Sequence, residues 1–179
     1  MPKVKIEDVV YNALRGIPIG TLENLKGKTQ RTKWHPEGDA WNHSVKTLLF
    51  VTRELCGDTI SVLSGHNLLL QVTMLYHDIG KAETPWSELP HHYHHDHRGW
   101  DMVMSGRVPE LPMEMRDAVA SFCHNHMKKE VTNKKTMKKT MDDLLRFFTQ
   151  EDLILLMRGD SITGENTTGT RWMKFYKVE

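Results

Sequence analysis

The sequence is poor in the features that mark secreted and membrane proteins. Its two cysteines, Cys56 and Cys123, lie far apart inside apolar-patterned segments, so we expect buried free thiols and not a disulfide framework. No apolar run approaches the roughly 18 residues that a membrane-spanning helix needs. Residues 1–8 lack the apolar core of a signal peptide. These absences predict a soluble, cytoplasmic protein with no membrane partner.

An excess of one charge sign is also missing. Lysine and arginine total 24 against 23 aspartates and glutamates, which leaves a formal net charge of +1. Such a balance gives no field over the whole molecule that would attract nucleic acid or a membrane surface, so partners must be recognised by local sites. The length of 179 residues and the apolar share of 39% are typical of a globular domain, and we predict one domain spanning residues 1–179.

Histidine is the residue type in excess. The chain has 11 histidines, several of them packed between His91 and His97. Such enrichment is typical of metal or proton chemistry. A solvated polar loop explains the cluster equally well, so the spacing of the other histidines has to decide.

Apolar periodicity predicts helices along most of the chain. Apolar residues recur at the three- and four-residue intervals of amphipathic helices, and the second predicted helix is apolar on most faces, which indicates a central, buried position. No alternation is strong enough to indicate a sheet. We therefore predict an all-α bundle, with helices at about residues 42–55, 65–76, 95–106, 115–124 and 141–157, the last with a break near Gln150.

Proline, glycine and lysine mark the predicted connections. Pro85 and Pro90 keep residues 83–93 out of regular helix. Gly80 could take the left-handed conformation that ends the second helix. The basic segment from Lys128 to Lys139 is predicted to be a solvated loop; a nucleic-acid contact is the sharper alternative, although the segment lacks interleaved aromatic residues.

A set of imidazole and carboxylate side chains lies at or near predicted helix ends, where a helical bundle can bring them onto one centre. Imidazole nitrogen together with carboxylate oxygen suits Mn, Fe, Ni, Co or Zn, whereas Mg and Ca prefer oxygen ligands alone. Singly, such residues are usually helix caps or satisfied polar groups, so only the four together indicate a metal site. Its members are His43, His77, Asp78 and Asp160.

The order of these residues resembles the H…HD…D motif of the HD superfamily of metal-dependent phosphohydrolases. The stretches HPEGDAWNHS at 35–44 and LYHDIGK at 75–81 are similar to segments of the HD domain of bacterial CCA-adding tRNA nucleotidyltransferases. The stretch HHDHRG at 94–99 resembles the H-(E/D)-x-x-G segment that follows there. The likeness covers about residues 35–160 and includes no nucleotidyltransferase head. It implies a free-standing HD domain with a metal centre between helices and both terminal extensions packed on it.

The resemblance also implies roles for single residues. His43, His77, Asp78 and Asp160 would hold one divalent metal, and His95 and His124 would hold a second metal that Asp78 bridges. Mn, Ni, Co, Fe and Zn are the expected ions, with Mg a further candidate. Asp78 and Lys81 are the expected catalytic residues, and Lys81, Arg98 and His126 are expected to bind substrate. For Lys81 and Arg98, a favourable helix-end charge and a plain surface residue are the alternatives.

The implied function is hydrolysis of a phosphoester on a nucleotide or an RNA end, including a phosphomonoester, a 2′-phosphate or a 2′,3′-cyclic phosphate. No obligate protein partner is evident. Two alternatives stay open: a diiron oxygenase on the same fold, and a non-catalytic module that binds nucleic acid through its basic segment. Lys81 favours hydrolysis, since a lysine just past the His-Asp pair is suited to neutralise a phosphate oxygen.

Overall fold

A computed structural model describes residues 20–57, 63–130 and 133–161, without the side chains of residues 129 and 130. Over these residues the chain forms helices and turns, and the β-type pairing found there is the single bridge between Thr29 and Asp39. The predicted all-α fold is confirmed. The expected packing of the terminal extensions falls largely on residues 1–19 and 162–179, outside the described residues. The α-helices are α1 (Ala40–Cys56), α2 (Gly65–Tyr76), α3 (His95–Met104), α4 (Arg116–Asn125), α5 (Lys134–Leu144) and α6 (Gln150–Ser161), and the 3-10 helices are Gly20–Leu25, Ile79–Glu83, Trp86–Glu88, Met113–Met115 and His126–Glu130.

Helix α1 begins where Asp39 caps it. The Asp39 Oδ1 atom accepts a hydrogen bond of 2.9 Å from the backbone N–H of Asn42, which satisfies a first-turn donor that has no partner inside the helix. Its Oδ2 atom accepts a bond of 2.8 Å from the N–H of Gly27. The same carboxylate therefore starts α1 and ties the preceding loop to the helix turn that carries His43.

The second half of helix α2 is buried in the bundle, in agreement with the buried position predicted for this helix. Leu70 and Met74 pack in one apolar cluster, while Val72, Leu75 and Tyr76 pack in a second. The residue that follows α2, His77, is therefore delivered into the interior. Both cysteines are free thiols, Cys123 buried and Cys56 partly buried. Among the described helices, none combines the length and the apolar character needed to cross a membrane.

Gly80 is required for a reason other than the predicted one. Its φ angle is not positive, and it lies inside the 3-10 helix Ile79–Glu83. A Cβ atom at this position would overlap the carbonyl oxygen of His95 and the backbone nitrogen of Gly99. Helix α3 thus packs directly on the turn after α2, and the absence of a side chain at Gly80 brings His95 next to Asp78.

The segment from Lys128 to Lys139, predicted to be a loop, lies in the 3-10 helix His126–Glu130 at its start and in α5 from Lys134 onward. Asn133 caps α5, its Oδ1 atom accepting hydrogen bonds from the N–H groups of Lys135 and Thr136. Met137 is buried, so the lysines around it form the solvated face of an amphipathic helix. The alternation of lysine with a few apolar residues hid this helix in the sequence.

Helix α6 begins at the predicted break near Gln150 with a capping box. Thr149 Oγ1 accepts from the N–H of Asp152 at 3.1 Å, and Asp152 Oδ2 accepts from the N–H of Thr149 at 2.7 Å. His66 Nε2, at the start of α2, lies 2.7 Å from the same carboxylate oxygen. These contacts set where α6 starts and therefore where Asp160, near its end, arrives.

Replacing Asp152 by alanine is expected to lower the free energy of unfolding by about 1 kcal/mol at neutral pH, because the cap is lost. Burial favours the neutral carboxyl, but hydrogen bonds from Thr149 and His66 hold the pKa of Asp152 below its ordinary value of 3.8. The stabilisation is therefore present above that ordinary value and is lost as the pH falls through the lower folded-state pKa. Urea unfolding of both proteins at neutral and acid pH tests this. An undiminished difference at about pH 2 would contradict the linkage.

Candidate metal centre

Four of the side chains singled out in the sequence meet at the buried end of α2. His43 comes from the first turn of α1, His77 and Asp78 directly follow α2, and Asp160 lies near the end of α6. His43 Nε2 is 3.6 Å from Asp78 Oδ2 and 3.4 Å from Asp160 Oδ1. His77 Nε2 is 3.4 Å from each of those two oxygens. We call these four residues group one.

The other carboxylate oxygen of Asp78 faces a second set of donors. Asp78 Oδ1 lies 3.2 Å from His95 Nε2 and 3.4 Å from His126 Nε2, and the two imidazole nitrogens are 3.3 Å apart. His95 is the first residue of α3, and His126 follows α4. All three side chains are largely buried. We call these three residues group two; Asp78 belongs to both groups.

The spacing in both groups fits a shared cation. Donor atoms held 2.0–2.1 Å from one metal ion are about 2.8 to 3.0 Å from their neighbours in octahedral geometry and about 3.3 to 3.4 Å in tetrahedral geometry. The distances between nitrogen and oxygen atoms within the groups range from 3.2 to 3.6 Å. Each group could therefore close around one divalent ion, with the Asp78 carboxylate giving one oxygen to each.

Hydrogen bonds orient every imidazole of the two groups in the same way. In each ring Nδ1 lies 2.7 to 2.8 Å from an oxygen that can only accept, so Nδ1 carries the proton and donates it. The Nε2 lone pair then faces the centre, as in metal-ligating histidines. The accepting groups are the Glu37 carboxylate for His43 and the backbone carbonyls of Met74, His92 and Cys123 for His77, His95 and His126.

The protein alone does not satisfy all the buried polar atoms here. Among the described residues, His77 Nε2 and Asp78 Oδ1 are buried and have no hydrogen-bond partner. Leaving a buried polar atom unsatisfied costs about 1–3 kcal/mol. A cation in group one would coordinate His77 Nε2, and a cation in group two would coordinate Asp78 Oδ1, so these residues fit the metal that the sequence predicts.

Charge and burial shift the pKa values of the residues in the two groups in different directions. Burial opposes ionisation of Asp78, but the Lys81 ammonium and His77 hold the pKa of this carboxyl well below its usual range. Burial lowers the pKa of His126, which favours the neutral imidazole. Burial also disfavours charge on His43, yet Asp160 and Glu37 raise its pKa above the ordinary value. The negative charges of Asp160 and Glu37 therefore favour a positive charge at His43.

Lys81 is buried against the candidate centre. Its Nζ atom lies 2.5 Å from Asp78 Oδ2 and 2.5 Å from Gln30 Oε1. The exposed amine of a lysine at an ordinary helix end would be solvated, whereas Lys81 is only 4% exposed. The interpretation as a helix-end charge therefore does not describe it, and its ammonium stands next to the carboxylate that belongs to both groups.

Sequence reasoning missed Glu37 and Gln30. Glu37 Oε1 accepts from His43 at 2.7 Å and from His35 at 3.0 Å. Burial would raise the pKa of Glu37, but these two hydrogen bonds hold it below the ordinary value, so the carboxylate that orients His43 is charged. Glu37 lies in the HPEGD stretch, which resembles a segment of CCA-adding proteins. The spacing within that stretch does not indicate that Glu37 contacts His43.

The structure does not bring His124 to group two. Its ring packs against His97 and Trp100, with centroid distances of 4.7 and 6.4 Å. His126, expected to bind substrate, stands in the place expected for His124. Residues two apart in a helical turn point about 200° apart, so only one of this pair can face inward.

Arg98 lies outside both groups, with partners of its own. Its guanidinium nitrogens are 3.4 Å from Thr84 Oγ1 and 3.5 Å from Glu88 Oε2, and the side chain is partly exposed.

In the cluster between His91 and His97, His92 has a supporting position. Its ring nitrogens lie 2.9 Å from Thr84 Oγ1 and 2.9 Å from the carbonyl oxygen of Thr29, while its own carbonyl orients His95.

Comparison with known proteins finds similarity to multifunctional CCA proteins. The chain is 33% identical over 128 residues to the multifunctional CCA protein of Acinetobacter baylyi, which covers 68% of this chain and 28% of that protein. Over 107 residues it is 33% identical to the protein of the same name from Azoarcus sp., covering 59% of this chain and 23% of that one. It thus spans about a quarter of the length of these relatives. No family model and no solved structure matches. The predicted likeness to CCA-adding proteins is confirmed as similarity to a region of them.

Proposed function

We propose that this protein is a metal-dependent phosphohydrolase of the HD type that acts on a phosphoester of a nucleotide or an RNA end. The observation that carries the proposal is the pair of donor groups joined by Asp78, each with the spacing of ligands around one divalent ion. The similarity to multifunctional CCA proteins supports a substrate with a nucleotide end. The order of the motifs, which resembles that of the HD superfamily, supports hydrolysis.

The residues of the two donor groups and Lys81 have different roles in the proposed reaction. Divalent ions held by the two groups would lower the pKa of a water molecule and stabilise negative charge on the phosphoryl oxygens during displacement. The imidazoles of His43, His77, His95 and His126 would present neutral nitrogen donors, and Asp78 and Asp160 would supply the negative charge that holds the cations. Lys81 uses two of its N–H groups for Asp78 and Gln30. Its remaining N–H group would bind a phosphoryl oxygen and neutralise its charge.

Phosphate release from a panel of esters tests the proposal. Protein stripped of metal would be reloaded separately with Mn, Ni, Co, Fe or Zn, then given nucleoside monophosphates, 2′-phosphates, 2′,3′-cyclic phosphates and RNA oligonucleotides with phosphorylated ends. We expect cleavage of at least one ester class, dependent on added metal. Iron-dependent oxygen uptake without ester cleavage would favour the oxygenase alternative. RNA binding with neither activity would favour a binding module.

Substitution of His126, with His124 as its matched control, tests the assignment of group two. His126→Ala is expected to remove about one equivalent of bound metal, because a neutral imidazole ligand is lost from that group. His124→Ala should keep the wild-type metal content, since its ring packs against His97 and Trp100. Elemental analysis of both variants, checked for folding by circular dichroism, gives the comparison. Equal losses, or a loss in His124→Ala alone, would overturn the assignment of His126.

A further inference from the structure

Gln30 lies in a loop that is held rigidly against the candidate centre. Its backbone N–H donates to the carbonyl of Gly38 at 3.0 Å, next to the bridge between Thr29 and Asp39. The neighbouring Lys28 donates through Nζ to the carbonyl of Thr84 at 2.6 Å. The Gln30 side chain is buried, with 4% of the residue exposed. The backbone hydrogen bonds of the loop therefore fix where this side chain lies, and little of it is in contact with solvent.

The amide of Gln30 has one orientation. Its Oε1 atom is 2.5 Å from Lys81 Nζ, and an ammonium can only donate, so the oxygen of the amide must face Lys81. The NH₂ group of the amide then points elsewhere. From the C=O and C–N bond lengths, Nε2 is about 2.2 Å from Oε1 and so within about 5 Å of the Lys81 ammonium. Two donor groups, the Gln30 NH₂ and the Lys81 ammonium, thus lie within about 5 Å of each other, and the ammonium contacts Asp78.

Nothing among the described residues accepts a hydrogen bond from Gln30 Nε2, although the atom is buried. A buried amide donor without an acceptor destabilises the fold, and an apolar side chain of similar length would avoid this cost. The amide oxygen is accounted for by Lys81, whereas the NH₂ group needs an acceptor that arrives from outside the described residues. The adjoining ammonium indicates that the acceptor is negatively charged.

We propose that Gln30 binds substrate, with Nε2 donating a hydrogen bond to a phosphoryl oxygen beside the one that Lys81 contacts. This inference rests on the proposed function and adds to it a neutral donor from outside the HD-type motif. Gln30 would recognise the phosphoryl group itself and not the base or sugar. It would therefore contribute to binding of inorganic phosphate as well as of a phosphoester.

The test measures binding of inorganic phosphate to the metal-loaded protein by calorimetry and by the phosphate-induced rise in Tm. Gln30→Glu keeps the oxygen that faces Lys81 but removes the donor. Gln30→Met removes both without adding charge, and it is also made in a Lys81→Met background, where no lysine remains to be oriented. Asn133→Asp is the matched control, because it makes the same amide-to-carboxylate change at an exposed helix cap that an aspartate also satisfies.

We expect Gln30→Glu to weaken phosphate binding by about 10- to 100-fold, the effect of losing a hydrogen bond to a charged group, with metal content unchanged. Gln30→Met should weaken it further in the Lys81→Met background, and Asn133→Asp should bind as wild type does. Phosphate affinity unaltered by Gln30→Met in that background would overturn the inference, since Gln30 would then act only through Lys81. If metal-loaded wild type neither binds phosphate nor cleaves any ester, the proposed function fails and this inference fails with it.

Discussion

Asp78→Asn is expected to lower metal-dependent phosphate release by at least about 1000-fold, on the order of 4 kcal/mol of transition-state stabilisation. Asp78 is the residue that the two donor groups share, with Oδ2 in group one and Oδ1 in group two. An amide presents one oxygen and no negative charge, so at least one group loses its anionic ligand. Metal content should fall together with the rate, which elemental analysis and an ester assay on the same samples will measure.

Asparagine is the informative replacement because Asp78 and Lys81 form a buried pair, and the amide keeps an oxygen that can accept from the Lys81 ammonium. Asparagine and alanine both remove the counter-charge of this ammonium, and breaking a buried pair in this way costs about 3–5 kcal/mol. An Asp78→Ala, Lys81→Met double variant leaves no unpaired buried charge, so a loss of activity in that variant does not come from this cost. Asp142→Asn is the control, as this exposed residue of α5 pairs with Lys138. Wild-type turnover by a folded, metal-loaded Asp78→Asn protein would refute the proposed function.

Lys81→Met is expected to lower kcat/KM for a phosphoester by about 10- to 1000-fold, which corresponds to about 1.4 to 4 kcal/mol of transition-state stabilisation. The ammonium is buried next to Asp78 Oδ2, where a charge on a phosphoryl oxygen is screened less than in water. Metal binding should not weaken, because Lys81 carries positive charge beside a cation site and its removal relieves that repulsion. Lys81→Arg should restore only part of the rate, since a planar guanidinium cannot replace a compact ammonium in a closed space.

Kinetics and metal analysis together distinguish the two ways in which Lys81 could act. If it binds a phosphoryl oxygen, kcat/KM falls while the metal content stays at the wild-type level. If it only holds Asp78 in place, metal content and rate fall in parallel, and the role in phosphate binding is then refuted. Lys138→Met, on the exposed surface of α5, controls for the general effect of losing a lysine.

Helix ends were predicted well where local chemistry sets them. The apolar periodicity of α2 and the glycine at its start indicated residues 65–76, the bounds that the structure has. The beginning of α6 follows from the reciprocal hydrogen bonds of Thr149 and Asp152, a pattern that is local in sequence. The start of α5 at Lys134 was not predicted, because lysines are more frequent there than the apolar residues, such as Met137, that pack the helix against the bundle.

The sequence by itself determined the all-α class and the set of side chains that meets at the end of α2, because helical periodicity and motif order are written along the chain. Only the tertiary structure decided which of His124 and His126 faces Asp78, since that choice depends on the rotation of α4 within the bundle. It also decided the partners of Lys81. Gln30 and Asp78 are 48 positions apart, and no spacing rule joins them. They meet because Asp39 holds the loop before α1 against that helix, and because the close approach of α3 at Gly80 holds the turn after α2 in place.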